Sequence, residues 1–107
     1  MKPIKGNKKI EALFGSGKRC SSSFFHCIFE LDDSTESGYV VSVPKKSFSR
    51  AVDRNKLKRL VREVLRKNLD VFGGIEGGRF MFIYSSNKIE SFLDIEKDFK
   101  SLLKKIY

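Results

Sequence analysis

Apolar and polar positions change period several times along this chain. Phe24-Phe25-His26-Cys27-Ile28-Phe29-Glu30-Leu31 is rich in β-formers and reads as a strand. A polar loop, 32–38, separates it from a second strand, Tyr39-Val40-Val41-Ser42-Val43, which Pro44 ends. Arg79-Phe80-Met81-Phe82-Ile83-Tyr84 is a third strand, preceded by turns at Gly73-Gly74 and Gly77-Gly78. The helical period appears twice at length. It predicts a long helix from about Arg50 to Asn68. It predicts a second from Ser91 or Asp94 to Ile106, with Phe92, Ile95, Phe99, Leu102, Leu103 and Ile106 on one face. Residues 1–9 are basic, contain Pro3 and Gly6, and are expected to form a mobile arm. Asn7 could cap a short helix from Lys8 to about Phe14, stopped by Gly15 and Gly17.

The order is therefore helix, strand, strand, helix, strand, helix, with room for a short extra strand in the 31–43 region. A helix between strands implies a crossover connection. Few strands imply one sheet packed by helices: an α+β or two-layer α/β domain. With 107 residues, no internal repeat and domains running to about 100–150 residues, a single domain over 1–107 is expected.

Composition narrows the function classes. Ten Phe and three Tyr, with 40% hydrophobic residues, exclude a disordered chain. No apolar run approaches the roughly 18 residues of a membrane span, and no apolar stretch follows Met1-Lys2-Pro3 as in a signal peptide. Two cysteines cannot build a disulfide framework, so a reduced, cytoplasmic setting is expected. Lys plus Arg number 22 against 13 acids, a net charge of +9. Such self-repulsion in a small domain points to a polyanionic partner, nucleic acid before membrane, since no helix joins a basic face to a broad exposed apolar one.

The charge is concentrated. Lys45 to Lys67 holds ten basic residues and two acids, hence +8 of the +9. At about 100° per residue, Leu57, Leu60, Val61, Val64 and Leu65 occupy one arc of the long helix. Arg54, Asn55, Lys58, Arg59, Arg62 and Arg66 occupy the next. A solvated face usually alternates Glu and Lys at i,i+4. Here Arg54/Lys58, Lys58/Arg62 and Arg62/Arg66 are like charges at that spacing. The ridge favours an external anion, and its arginine forks suit phosphate.

Other chemistry is thin. Gly15-Ser16-Gly17-Lys18-Arg19 lacks the first glycine of a phosphate loop, where Ala12 stands, and the Ser/Thr after its lysine. Cys20, His26 and Cys27 lack zinc spacing. One His, with no nucleophile triad or carboxylate pair, gives no protein-based nuclease site. No catalytic residue and no metal ligand is expected in the chain. A structural RNA-binding protein of ribosomal type and a DNA-binding helix remain rival readings of composition alone.

The stretch Val43-Pro44-Lys45-Lys46 through Arg50-Ala51-Val52-Asp53-Arg54-Asn55-Lys56-Leu57-Lys58-Arg59-Leu60-Val61-Arg62-Glu63 resembles the bacterial ribonuclease P protein subunit. That family's basic helix carries Arg-Asn, two residues, Lys-Arg, two residues, then Arg, here Arg54-Asn55, Lys58-Arg59 and Arg62. Leu13-Phe14-Gly15 resembles the end of its N-terminal helix, and Phe24–Phe29 its first aromatic strand. Ile10 and Ile28 depart from it where many or some members carry Phe and Tyr. The resemblance implies an α+β fold, a two-layer α/β sandwich whose small mixed sheet packs with an N-terminal helix, a C-terminal helix and a left-handed crossover around the central basic helix. It implies a protein subunit that docks on a catalytic RNA and helps remove the 5′ leader of precursor tRNA. The catalytic centre would lie in the RNA, with Mg²⁺ bound mainly there, and the protein would be monomeric and bound to no membrane. Lys45, Lys46, Arg50, Arg54, Asn55, Lys58, Arg59, Arg62 and Arg66 then fall to RNA binding. Phe14 and Phe25 fall to a cleft for the single-stranded leader. By strand alternation alone, each of the strand phenylalanines is as well placed for core as for cleft.

Overall fold

The computed structural model describes residues 2–3, 15, 17–31, 38–68 and 78–106. Among these, five strands form one mixed sheet: β1 (Lys2–Pro3), β2 (Lys18–Ser21), β3 (Phe25–Leu31), β4 (Gly38–Ser42) and β5 (Gly78–Tyr84). Two helices complete it, α1 (Ala51–Lys67) and α2 (Phe92–Ile106). The strand order is β1-β4-β5-β3-β2. β4 runs parallel to β5, with α1 as the crossover between them, and β3 is antiparallel to β5. This is an α+β sandwich with a mixed sheet, within the class that the element order allows and as the resemblance implies.

Two strands depart from expectation. Lys2 and Pro3, expected in a mobile arm, pair in parallel with Gly38 and Tyr39. Proline tolerates this position because an edge strand can spare an N–H. β2 is the other: it is short, and three of its four residues are exposed, so it carries no alternating signal. Extra strands thus lie at 2–3 and 18–21; the loop 32–37, where a further short strand has room, lies outside the described residues. The expected helix from Lys8 to Phe14 and the Gly73-Gly74 turn lie outside the described residues.

Strand register sorts side chains onto two faces. Val41, Phe82 and Cys27 stand in line across three strands, as do Tyr39, Phe80 and Phe29. This face receives both helices. Leu57, Val61, Val64 and Leu65 of α1 are buried on it, with Ile95, Phe99, Leu102 and Leu103 of α2. Phe99 packs against Phe82, centroids 5.1 Å apart, and edge-on to Phe25 at 5.9 Å. The opposite face carries Val40, Met81 and Ile28 in one row and Ser42, Ile83 and His26 in the next.

Local chemistry fixes the helix ends. Ser91 Oγ accepts the Asp94 N–H at 3.2 Å and caps α2. Asn68 closes α1: its N–H donates to Val64 and Leu65 carbonyls, and its Nδ2 donates to Val64 O at 2.7 Å and to Glu96 Oε2 at 3.2 Å. One buried amide therefore ends one helix and ties it to the other. Asp98 of α2 accepts from Ser22 Oγ at 2.6 Å and from the N–H groups of Ser23 and Phe24, holding the β2–β3 turn.

Candidate nucleic-acid interface

The chain leaves β4 through Val43 and Pro44 into a turn whose Ser47 and Phe48 N–H groups both donate to Pro44 O at 3.2 Å. The turn drives Phe48 into the core, 8% exposed and against Tyr84, and leaves Lys45 and Lys46 exposed. Arg50 is the N-cap residue of α1, in extended conformation and without a side-chain cap bond. Asp53 in the first turn suits the positive end of the helix.

Along α1 the predicted division of faces holds. The four buried aliphatics all come from the predicted apolar arc, and Leu60 is half-buried beside them. Asn55, Arg59, Arg62 and Arg66 are exposed, and Lys58 is half-buried. Glu63, the acid inside the helix body, is occupied by Arg66 Nη1 at 3.1 Å. Lys58, Arg59 and Arg62 form no ion pair with any described residue. They stand as a row of cations on α1 with no acid partner among the described residues.

Arg54 differs from its neighbours. Its Nη1 donates to Phe48 O at 2.8 Å and to Ser49 O at 2.9 Å. It anchors the turn carrying Lys45 and Lys46 to the helix carrying the ridge, a role the charge pattern does not reveal. Lys67 also leaves the ridge: it approaches Glu96 at 3.6 Å and lies over the Phe92 ring. It marks the side of α1 that faces α2, so the ridge lies on the other flank.

Phe25 is a correction. The resemblance puts it in the leader cleft, but it is 0% exposed, edge-on to both Tyr84 and Phe99 on the helix-bearing face of the sheet. The ring belongs to the core. Phe14 lies outside the described residues. On the opposite sheet face there is a cleft of about 440 Å³, lined by Arg19, Ser21, His26, Ile28 and Ile83 among others. Sequence reasoning missed it because β2, which supplies its wall, was not legible. Cys20 and Cys27 face each other across β2 and β3 as free thiols. Burial pushes both thiols up, Cys27 most, so neither is poised as a nucleophile.

Among the described residues, no group of three or more His, Cys, Asp or Glu side chains could hold a metal ion. None of their helices is long and apolar enough to cross a membrane.

Fold and ridge together define a small basic α+β protein with a cationic face on its crossover helix. Comparison with known proteins makes this specific. Residues 2–107 match the family Ribonuclease P. The ribonuclease P protein component of Nitrosococcus oceani is 42% identical over 65 residues, 61% of this chain and 55% of that one. That of Clostridium kluyveri is 30% identical over 103 residues, 95% of this chain and 91% of that one. The RNase P protein from Thermotoga maritima superposes with a TM-score of 0.84 at 25% identity, over 100% of this chain and 99% of that one. The chain belongs to the ribonuclease P protein family, and membership implies a protein subunit with an RNA partner.

Proposed function

We propose that this chain is the protein subunit of a ribonuclease P that removes the 5′ leader of precursor tRNA in the cytoplasm. The observation that carries the reading is the row Lys58, Arg59 and Arg62 on α1, which pairs with no described acid, next to exposed Arg66 and Asn55. RNA helices are contacted mainly through phosphates and 2′-hydroxyls, which guanidinium forks and ammonium groups bind without reading sequence. Lys45, Lys46 and Arg50 extend the row past the N-terminal end of α1. Arg54 contributes by fixing the turn, and through the guanidinium nitrogens its two carbonyl bonds leave free.

The leader of the substrate takes the opposite sheet face. A single strand of variable sequence needs a positive groove with apolar surface. The cleft sets the apolar side chains of Ile28 and Ile83 beside Arg19 and His26, and Phe14 is an aromatic that the resemblance assigns to the leader cleft. The phosphodiester is cut by the RNA subunit with Mg²⁺ held mainly by RNA, and the protein acts as a monomer. Its cations offset the repulsion between two RNAs and lower the Mg²⁺ that the reaction needs.

The test is reconstitution. The protein is mixed with the catalytic RNA of its source and a 5′-extended precursor tRNA at low Mg²⁺. Cleavage at the mature 5′ end that depends on protein is expected. Tight RNA binding without any stimulation of cleavage would return the chain to a purely structural RNA-binding role.

A further inference from the structure

α2 carries three acids and four lysines, and in sequence they look balanced. The fold separates them. Glu96 is buried, bonded to Asn68 and close to Lys67. Asp98 is spent on Ser22, Ser23 and Phe24. Asp94 is exposed but sits in the first turn, where the helix N–H groups favour a carboxylate. Of the lysines, Lys105 donates to Ser21 O at 2.7 Å. Lys97, Lys100 and Lys104 are exposed, stand three and four residues apart on one face, and pair with no described acid. Like charges at this spacing repel, so the stripe costs helix stability unless an anion covers it.

The stripe points away from the sheet. On a wheel at about 100° per residue it lies opposite Ile95, Phe99 and Leu102, which pack on the sheet. α1 and α2 lie side by side on the same sheet face, joined where Lys67 and Asn68 meet Phe92 and Glu96. The outward side of α1 presents Arg59, Arg62 and Arg66, and the outward side of α2 presents Lys97, Lys100 and Lys104. The helices meet at that junction, and α2 then runs toward β2, where Lys105 reaches Ser21, so a polyanion lying on Arg66 at the end of α1 can continue along the stripe.

We propose that Lys97, Lys100 and Lys104 form a second RNA-binding surface, which grips the RNA subunit beside the segment held by α1. This rests on the proposed function, since the occupant is the RNA that family membership implies. Charge complementarity calls for a polyanion, and the scarcity of exposed apolar side chains selects RNA over an anionic lipid surface. Leu93, 72% exposed, is the only large apolar side chain exposed on α2, too little for insertion into lipid.

The full-length chain with Lys97→Gln, Lys100→Gln and Lys104→Gln combined is compared with wild type and with an Arg59→Ala/Arg62→Ala variant. Binding to the catalytic RNA is measured over a salt series, with hydroxyl-radical footprinting of the complexes. The lysine variant should show a salt slope shallower by about two to three, at roughly 0.9 for each phosphate left without its lysine. It should lose RNA protections that the arginine variant keeps. Replacement of the three lysines by arginine should restore both. A wild-type slope and footprint in the lysine variant, with the arginine variant impaired, overturns the second surface and leaves the proposed function standing. Wild-type behaviour in both variants overturns both. Unchanged RNA binding with lost affinity for phosphatidylserine-containing vesicles would assign the stripe to membrane instead.

Discussion

The guanidinium of Arg54 donates from one nitrogen to the backbone carbonyl of Phe48 at 2.8 Å and to that of Ser49 at 2.9 Å. The turn between β4 and α1 is thus locked to the helix by a residue of the basic motif itself. One sequence signature thus holds a structural anchor beside the exposed cations proposed to bind RNA, and the two roles separate by substitution.

Arg54→Ala should destabilise the fold by about 1–2 kcal/mol, because two loop carbonyls lose a charged donor. Arg54→Lys should recover only part of that, since an ammonium lacks the planar fork. Urea unfolding reads the difference. A stability equal to wild type for both variants would remove the anchoring role.

Arg59→Ala and Arg62→Ala should behave in the opposite way. Both side chains are exposed and pair with no described acid, so stability should stay within about 0.5 kcal/mol of wild type. Affinity for the catalytic RNA should fall, and each substitution should reduce the salt slope by about one. Filter binding at several salt concentrations checks this.

Phe25→Ala should cost about 3–5 kcal/mol, as expected for an aromatic removed from a packed core. Phe25→Leu should cost less and bind precursor tRNA in the holoenzyme like wild type. A Phe25→Leu protein with wild-type stability and weakened precursor binding would restore the ring to the cleft.

Stability should fall in alkali. Burial raises the Cys27 thiol above its usual 9.0 and the Tyr84 hydroxyl above its usual 10.0. Tyr84 also donates to Lys88 O at 2.6 Å in its protonated form. The folded protein therefore holds these protons more tightly than the unfolded chain. The stabilisation is complete below about pH 9 and is lost as pH rises beyond it. Cys27→Ala should be weaker at neutral pH but lose less between about pH 9 and pH 10. Urea midpoints across that range measure it.

The sequence by itself determined the two long helices, the three central strands and the motif on α1, because each rests on a periodicity or spacing that local residues carry. The arc of Leu57, Val61, Val64 and Leu65 could be read from spacing alone, and so could the ridge beside it. Short edge strands could not be read: Lys18-Arg19-Cys20-Ser21 pairs through its backbone, and its side chains carry no pattern. Nor could the face of Phe25 be assigned, since alternation fixes which residues share a face but not which face meets the helices. The division of labour within the motif, with Arg54 turned to Phe48 and Arg59 turned outward, depends on where the preceding turn folds. The charge of α2 shows the same limit. A count of Asp94, Glu96 and Asp98 against the four lysines gives near balance, and only tertiary packing buries Glu96, commits Asp98 to the β2–β3 turn and leaves three lysines facing outward.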